Sequence, residues 1–369
     1  MNIQEFDLIV EGADGSRWPI HGPSAHGQDV RLLEGSVGEL YDAPLTSTYK
    51  PRAGQAGASY LGHRWLERHI VLRVAAYGDQ WASTEARFRR AFAPDRDAHL
   101  VAITPQWGAR RLAVRLEEAP EYEDGRDPFS QGISVKKFVL CAADPWWYGA
   151  EHRDEFVFTG TNWSGGSVTV DNPGDVPAWP RWVLTSPAKF GLPDIPIGAD
   201  HDQDRMVFLP FQPNGRDVLV DTDPLQEMIV ANDGTLMWAQ MNGQFFQHPI
   251  PAFTPPKQLP IYVDPFPLLP IPLPTSWRMW IAVKLRELAE LVGADKLLAM
   301  TPEEFAAKVT EWLKGKTPEW IDPVNPDLLA ELTADVIARL IRETYGRLTN
   351  IAGATAQVRV DRRWSRPWG

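Results

Sequence analysis

Asp144-Pro145-Trp146-Trp147-Tyr148-Gly149 is the stretch on which the reading of this chain turns. Proline cannot donate to a sheet ladder and glycine frees the backbone to turn, so the segment closes one run of strands and opens another. Three adjacent aromatic side chains at such a break predict packing between two domains, which meet at this segment, rather than a binding face. Upstream, Phe6–Val10, the turn Ala13-Asp14-Gly15-Ser16 and Arg17–Ile20 form a hairpin pattern. Further strand patterns lie at His69–Tyr77, His99–Thr104, Arg111–Leu116 and Val135–Cys141. Between them Trp81, Thr84, Phe88 and Phe92 recur at helical spacing and predict one amphipathic helix over Asp79–Phe92, with Arg87, Arg89 and Arg90 on its wet face. The stretch from Gly35 to Gly62 is rich in Gly, Pro, Ser and Thr and has little periodicity, which predicts a surface loop or an arm reaching a neighbouring subunit.

Downstream, short strand patterns at Phe156–Phe158, Ser167–Val170, Trp182–Thr185, Arg205–Leu209, Asp217–Val220 and Glu227–Val230 are punctuated by turns such as Asn172-Pro173-Gly174-Asp175, as in a β-sandwich. Residues 251–276 read as a proline-rich linker. Residues 277–350 read as helical, with a proline-led capping box at Thr301-Pro302-Glu303-Glu304. The chain then returns to a strand at Ala356–Val360, so the helices are an insertion within the second β domain. The expected organisation is a β domain at 1–148 and a sandwich at 149–250 plus 351–369. The fold class is mainly β (α+β overall).

Composition narrows the function classes. The formal charge of −11 argues against a nucleic-acid-binding face, which needs a basic patch to displace counterions. The single cysteine, Cys141, excludes an internal disulfide and a multi-thiolate metal cluster; its apolar run predicts a small buried hydrophobe. No apolar run is long enough to cross a membrane and no leader pattern opens the chain, so cytoplasmic synthesis is expected. No phosphate loop, dinucleotide fingerprint or metalloprotease helix occurs. Asp200-His201-Asp202-Gln203-Asp204 lacks the glycine and distal glutamate of a calcium loop and reads as solvated. The carboxylates Glu117-Glu118 and Glu121 to Asp124 read as a charged loop. No catalytic, cofactor or metal residue is therefore assigned, and the chain is expected not to be an enzyme. The 16 Trp suit cores and interface centres, and a carbohydrate platform would use the same residue. Trp163, Trp179 and Trp182 are the candidates for such a platform.

With these residues in view, the chain resembles the distal tail proteins, also called minor tail proteins, of long-tailed bacteriophages. The resemblance rests on the segment Asp144 to Gly149 at the end of a β domain. It rests also on Val170 to Pro180, in which Asn172, Gly174, Asp175 and Pro180 are similar to that family's "N-x-G-D" stretch. It implies a tail-tube-like ring-forming domain with one helix, followed by a galectin-like sandwich. It implies a virion protein of the tail tip, made in the host cytoplasm and assembled as a homohexameric ring. The ring would join the tail tube, tape-measure protein, tail-tip hub and receptor-binding parts, with DNA only passing through the lumen and no membrane partner. The alternative reading is a carbohydrate-binding module adhering to the host surface.

Overall fold

The computed structural model describes residues 6–34, 38–123, 127–159, 165–198, 205–213, 215–226, 228–241, 243–263 and 353–369, with isolated positions at 291–292, 296, 304, 308 and 311. The expected helical insertion (those positions aside), the linker beyond Val263, the Asp200–Asp204 loop and Trp163 lie outside them. The chain forms two units. One comprises Met1–Glu151, Gly174–Val176 and Asp361–Gly369; the other comprises His152–Pro173 and Pro177–Val360.

In the first unit, β1 (Asp7–Glu11) and β2 (Arg17–His21) make the expected hairpin. Its turn is held by Asp14, whose carboxylate accepts from the Ser16 amide at 3.0 Å, while Gly15 takes the positive φ that the turn requires. There follow β3 (Val30–Leu32), β4 (Leu45–Lys50), β5 (Ser59–Trp65), β6 (Arg68–Tyr77), α1 (Trp81–Arg90), β7 (Ala98–Thr104), β8 (Gly108–Leu116), β9 (Glu121–Tyr122), α2 (Pro128–Gln131), β10 (Ile133–Ala142) and β11 (Trp147–Tyr148). The main sheet runs β2-β1-β7-β8-β10-β6-β3, antiparallel throughout. Helix α1 buries Trp81, Thr84 and Phe88 and leaves Arg87, Arg89 and Arg90 in its last turn, where cations suit the helix dipole. Phe88 meets Phe138 of β10 edge-on at 5.4 Å and Phe92 packs on the same ring, so the aromatic stripe seen in the sequence is what fastens the helix to the sheet. Each such ring contributes about 1.5–3 kcal/mol on burial.

The stretch from Gly35 to Gly62 holds more order than its composition predicts. β4 and β5 pair with each other as a separate two-stranded sheet. Every residue of β4 is exposed, so no inward face imposes the alternation by which a strand is recognised.

The second unit contains β12 (His152–Val157), β13 (Gly166–Asn172), β14 (Pro180–Leu184), β15 (Phe190–Pro193), β16 (Met206–Phe208), β17 (Val218–Asp221), β18 (Ile229–Ala231), β19 (Thr254–Val263) and β20 (Thr355–Val360). Five strands run β12-β20-β14-β17-β18 and four run β13-β19-β15-β16. Alternate residues of both sheets, among them Val168, Val170, Trp182, Val220, Ile261 and Val358, meet in one core, so the two sheets form a sandwich. The segment read as the start of a linker is β19. Its prolines are tolerated because Pro255, Pro256 and Pro260 are exposed and, among the described residues, only β13 pairs with the strand as far as Ile261.

The last described strand, β21 (Arg363–Trp364), returns to the first unit and pairs with β11, setting Trp364 opposite Trp147 and Arg363 opposite Tyr148. The sequence reading assigned all of 351–369 to the sandwich; the structure gives it Thr355–Val360 and gives Asp361–Gly369 to the first unit. The reason is physical: the tail supplies a buried Trp364 and backbone acceptors to that unit's interior.

Candidate functional site

The Asp144–Gly149 segment is built into the first unit. Pro145 is buried, and its carbonyl accepts from Arg68 Nε at 2.6 Å. Trp147 is fully buried in the core and donates its indole N–H to the Leu40 carbonyl at 3.3 Å. Trp146 meets Trp65 edge-on at 5.0 Å. Gly149 lies flat on the tail, and a Cβ there would stand 2.5 Å from the Trp364 ring.

Two arginines complete this arrangement. Arg68 begins β6 and is fully buried. Besides Pro145, its guanidinium donates to the carbonyls of Glu39 (2.8 Å), Leu40 (3.2 Å) and Ser365. Three separate stretches of chain thus converge on one cation whose fixed fork of donors suits several acceptors. Arg110 lies over the Trp364 ring at 4.1 Å and donates to the carbonyls of Arg366 and Gly369, each at 2.9 Å. Burial lowers both guanidinium pKa values to about 10.

The second motif is also structural in its contacts. Asn172 is buried and donates to the carbonyls of Ile250 (3.2 Å) and Pro251 (3.0 Å). Gly174 is buried, and Asp175 accepts from the Ser365 amide at 2.6 Å and from its hydroxyl. Pro180 opens β14, and its carbonyl accepts from the Thr222 hydroxyl at 2.7 Å. The recorded contacts of these residues position chain segments.

Of the three tryptophans proposed as a sugar platform, Trp163 is outside the described residues and Trp179 is half-buried. Trp182 is corrected outright: it is fully buried in the sandwich core and has no face to offer a ligand. Cys141 is corrected too. The alternation of β10 puts Leu140 and Ala142 inward and leaves Cys141 half-exposed on the outer face.

Tyr148 gives this region a pH signature. Burial and the neighbouring Asp144 carboxylate, to which its hydroxyl donates, hold the phenol well above its usual value of 10. A raised folded-state pKa gives stability that is complete below the unfolded value and is lost as pH rises above it. Arg68 and Arg110, with lowered values, act in the opposite sense over the same range. The readout is therefore a difference. Between about pH 9 and about pH 11, the urea midpoint of wild type should fall more steeply than that of Tyr148→Phe; parallel slopes would remove the effect assigned to this phenol.

Comparison with known proteins finds relatives named as minor tail proteins of phages. It is 26% identical over 335 residues to the minor tail protein Gp27 of Mycobacterium phage D29, an alignment spanning 75% of this chain and 99% of that protein. It is likewise 26% identical over 305 residues to the minor tail protein Gp27 of Mycobacterium phage L5, spanning 68% and 90%. No protein-family model matches. Among solved structures, the SPP1 Dit protein (gp 19.1) aligns with a TM-score of 0.47 at 15% identity, covering 70% of this chain and 94% of that one. A chain of the phage P2 baseplate aligns with a TM-score of 0.41 at 10% identity, covering 70% and 97%.

Proposed function

We propose that the chain is the distal tail protein of a long non-contractile phage tail. In this reading the first unit builds a homohexameric ring at the tail tip, between the tail tube and the tail-tip hub with its receptor-binding parts, and the sandwich is the galectin-like domain. The kinship with minor tail proteins supports a structural role in a phage tail. The observation that carries the finer reading is the β4–β5 ribbon. Among the described residues it pairs with no other sheet, and it carries Leu45, Tyr49, Tyr60 and Leu61, each about half or more exposed. A two-stranded ribbon is marginal alone, and exposed apolar side chains of this kind favour association. In the proposed assembly a second copy of the chain covers it.

Light scattering of the purified chain should give a mass of about 250 kDa, six times the 41.4 kDa protomer, and electron microscopy should show rings. Tyr49→Glu combined with Leu61→Glu should shift the species to monomer. Because both side chains are exposed, the melting temperature of the protomer should move little, within the usual small effect of a surface substitution of about 0.5 kcal/mol. A protein that stays monomeric at high concentration would overturn the ring. Rings unaffected by the double substitution would overturn the role of the ribbon.

A further inference from the structure

Two residues on adjacent strands of the first unit, and a third just past the end of a neighbouring strand, bring three kinds of metal-binding atom together. His69 on β6 lies directly opposite Cys141 on β10, and on the other side of Cys141 runs β8, which Glu117 follows by one residue. The Glu117 amide donates to the Val139 carbonyl at 2.9 Å, which holds its backbone to β10. His69 Nδ1 is 2.8 Å from Glu117 Oε2, and an imidazole nitrogen, a carboxylate oxygen and the Cys141 sulfur all lie within 4.8 Å of one another. The His69 backbone is fixed from a further side by Glu39, whose carboxylate accepts from its amide at 2.7 Å.

We propose that His69, Glu117 and Cys141 form a binding site for a zinc-class divalent cation. Zinc takes nitrogen, oxygen and sulfur ligands at roughly 2.0–2.3 Å in tetrahedral geometry, so ligand atoms a few ångströms apart on rigid strands need only small side-chain rotations to enclose it. Three protein ligands leave one position for water or for a group of another chain. A thiolate and an imidazole select zinc or cobalt over calcium or magnesium, which prefer oxygen alone. On binding, the Cys141 thiol and any proton on the coordinating His69 nitrogen pass their protons to solvent. The carboxylate of Glu39, held against the His69 amide, adds negative potential that would draw a cation in.

Cobalt(II) reports the site directly, because a cobalt–thiolate bond gives a near-ultraviolet charge-transfer absorption and Cys141 is the only cysteine. Titration of the reduced full-length chain should give this band, saturating at one cobalt per chain and disappearing on addition of zinc. Cys141→Ser should abolish it, and Glu117→Gln should weaken cobalt affinity by at least about tenfold, the lower end of the loss seen for outer-shell partners. Zinc should also slow modification of Cys141 by a thiol reagent. The wild-type titration decides the matter without any variant: no charge-transfer band, together with a thiol that reacts equally fast with and without zinc, overturns the proposal.

Discussion

Arg68→Met should lower the stability of the first unit by about 3–5 kcal/mol, because buried carbonyls that the guanidinium serves are left without a donor. Here the loss falls on the acceptors. Four carbonyls, those of Glu39, Leu40, Pro145 and Ser365, lose this donor. Leu40 keeps the Trp147 indole and Ser365 keeps the Ala43 amide, so the cost falls mainly on Glu39 and Pro145, at about 1–3 kcal/mol each before relaxation. Methionine fills much of the volume and supplies no N–H. For a unit of this size the melting transition should fall on the order of 10 °C, read by calorimetry. Arg68→Lys should recover only part, because one ammonium cannot reach all three stretches with the geometry of a planar fork. An Arg68→Met protein that melts with wild type would show that water replaces the guanidinium at little cost, and the hub role would fail.

Trp182→Ala should be comparably damaging in the second unit. The indole is fully buried on β14, opposite Val220 of β17 and Val358 of β20. Removing a large aromatic from such a site costs about 3–5 kcal/mol, part lost transfer energy and part cavity. Trp182→Phe should cost much less, since it keeps most of the ring volume and the indole N–H has no acceptor among the described residues. Chemical denaturation followed by circular dichroism separates the two cases. A Trp182→Ala chain with unchanged midpoint but lost glycan binding would restore the surface-platform reading and contradict the burial.

The contrast between Trp182 and α1 shows where sequence reading reaches and where it stops. Helical spacing of Trp81, Thr84 and Phe88 names the buried side of the helix, because the charged residues mark the opposite one. Along Arg181-Trp182-Val183-Leu184, alternation names two faces but does not say which is wet, and a tryptophan is at home on either. Asp14-Gly15 announces its hairpin because the turn chemistry is local. Arg68 announces nothing, since its burial depends on carbonyls 28 to 297 residues away. The same holds for His69, Glu117 and Cys141, gathered only by the register of three strands. The Asp144–Gly149 motif reads in the sequence as packing between two domains, whereas Trp147 is buried in the core of the first unit; its partner Trp364 sits in a two-residue strand too short to leave a pattern.

The pairing of β21 with β11 also sets a timetable for biosynthesis. Residues up to Glu151 leave the ribosome early, but the first unit lacks Trp364 and the Ser365 acceptor until 213 more residues, from 151 to 364, have been made. At translation rates of roughly 5–20 residues per second that delay is about 10–40 s. During it Arg68 lacks one of its acceptors and Gly149 lacks the ring it lies on. A chain that stops before Arg363 lacks the strand that pairs with β11.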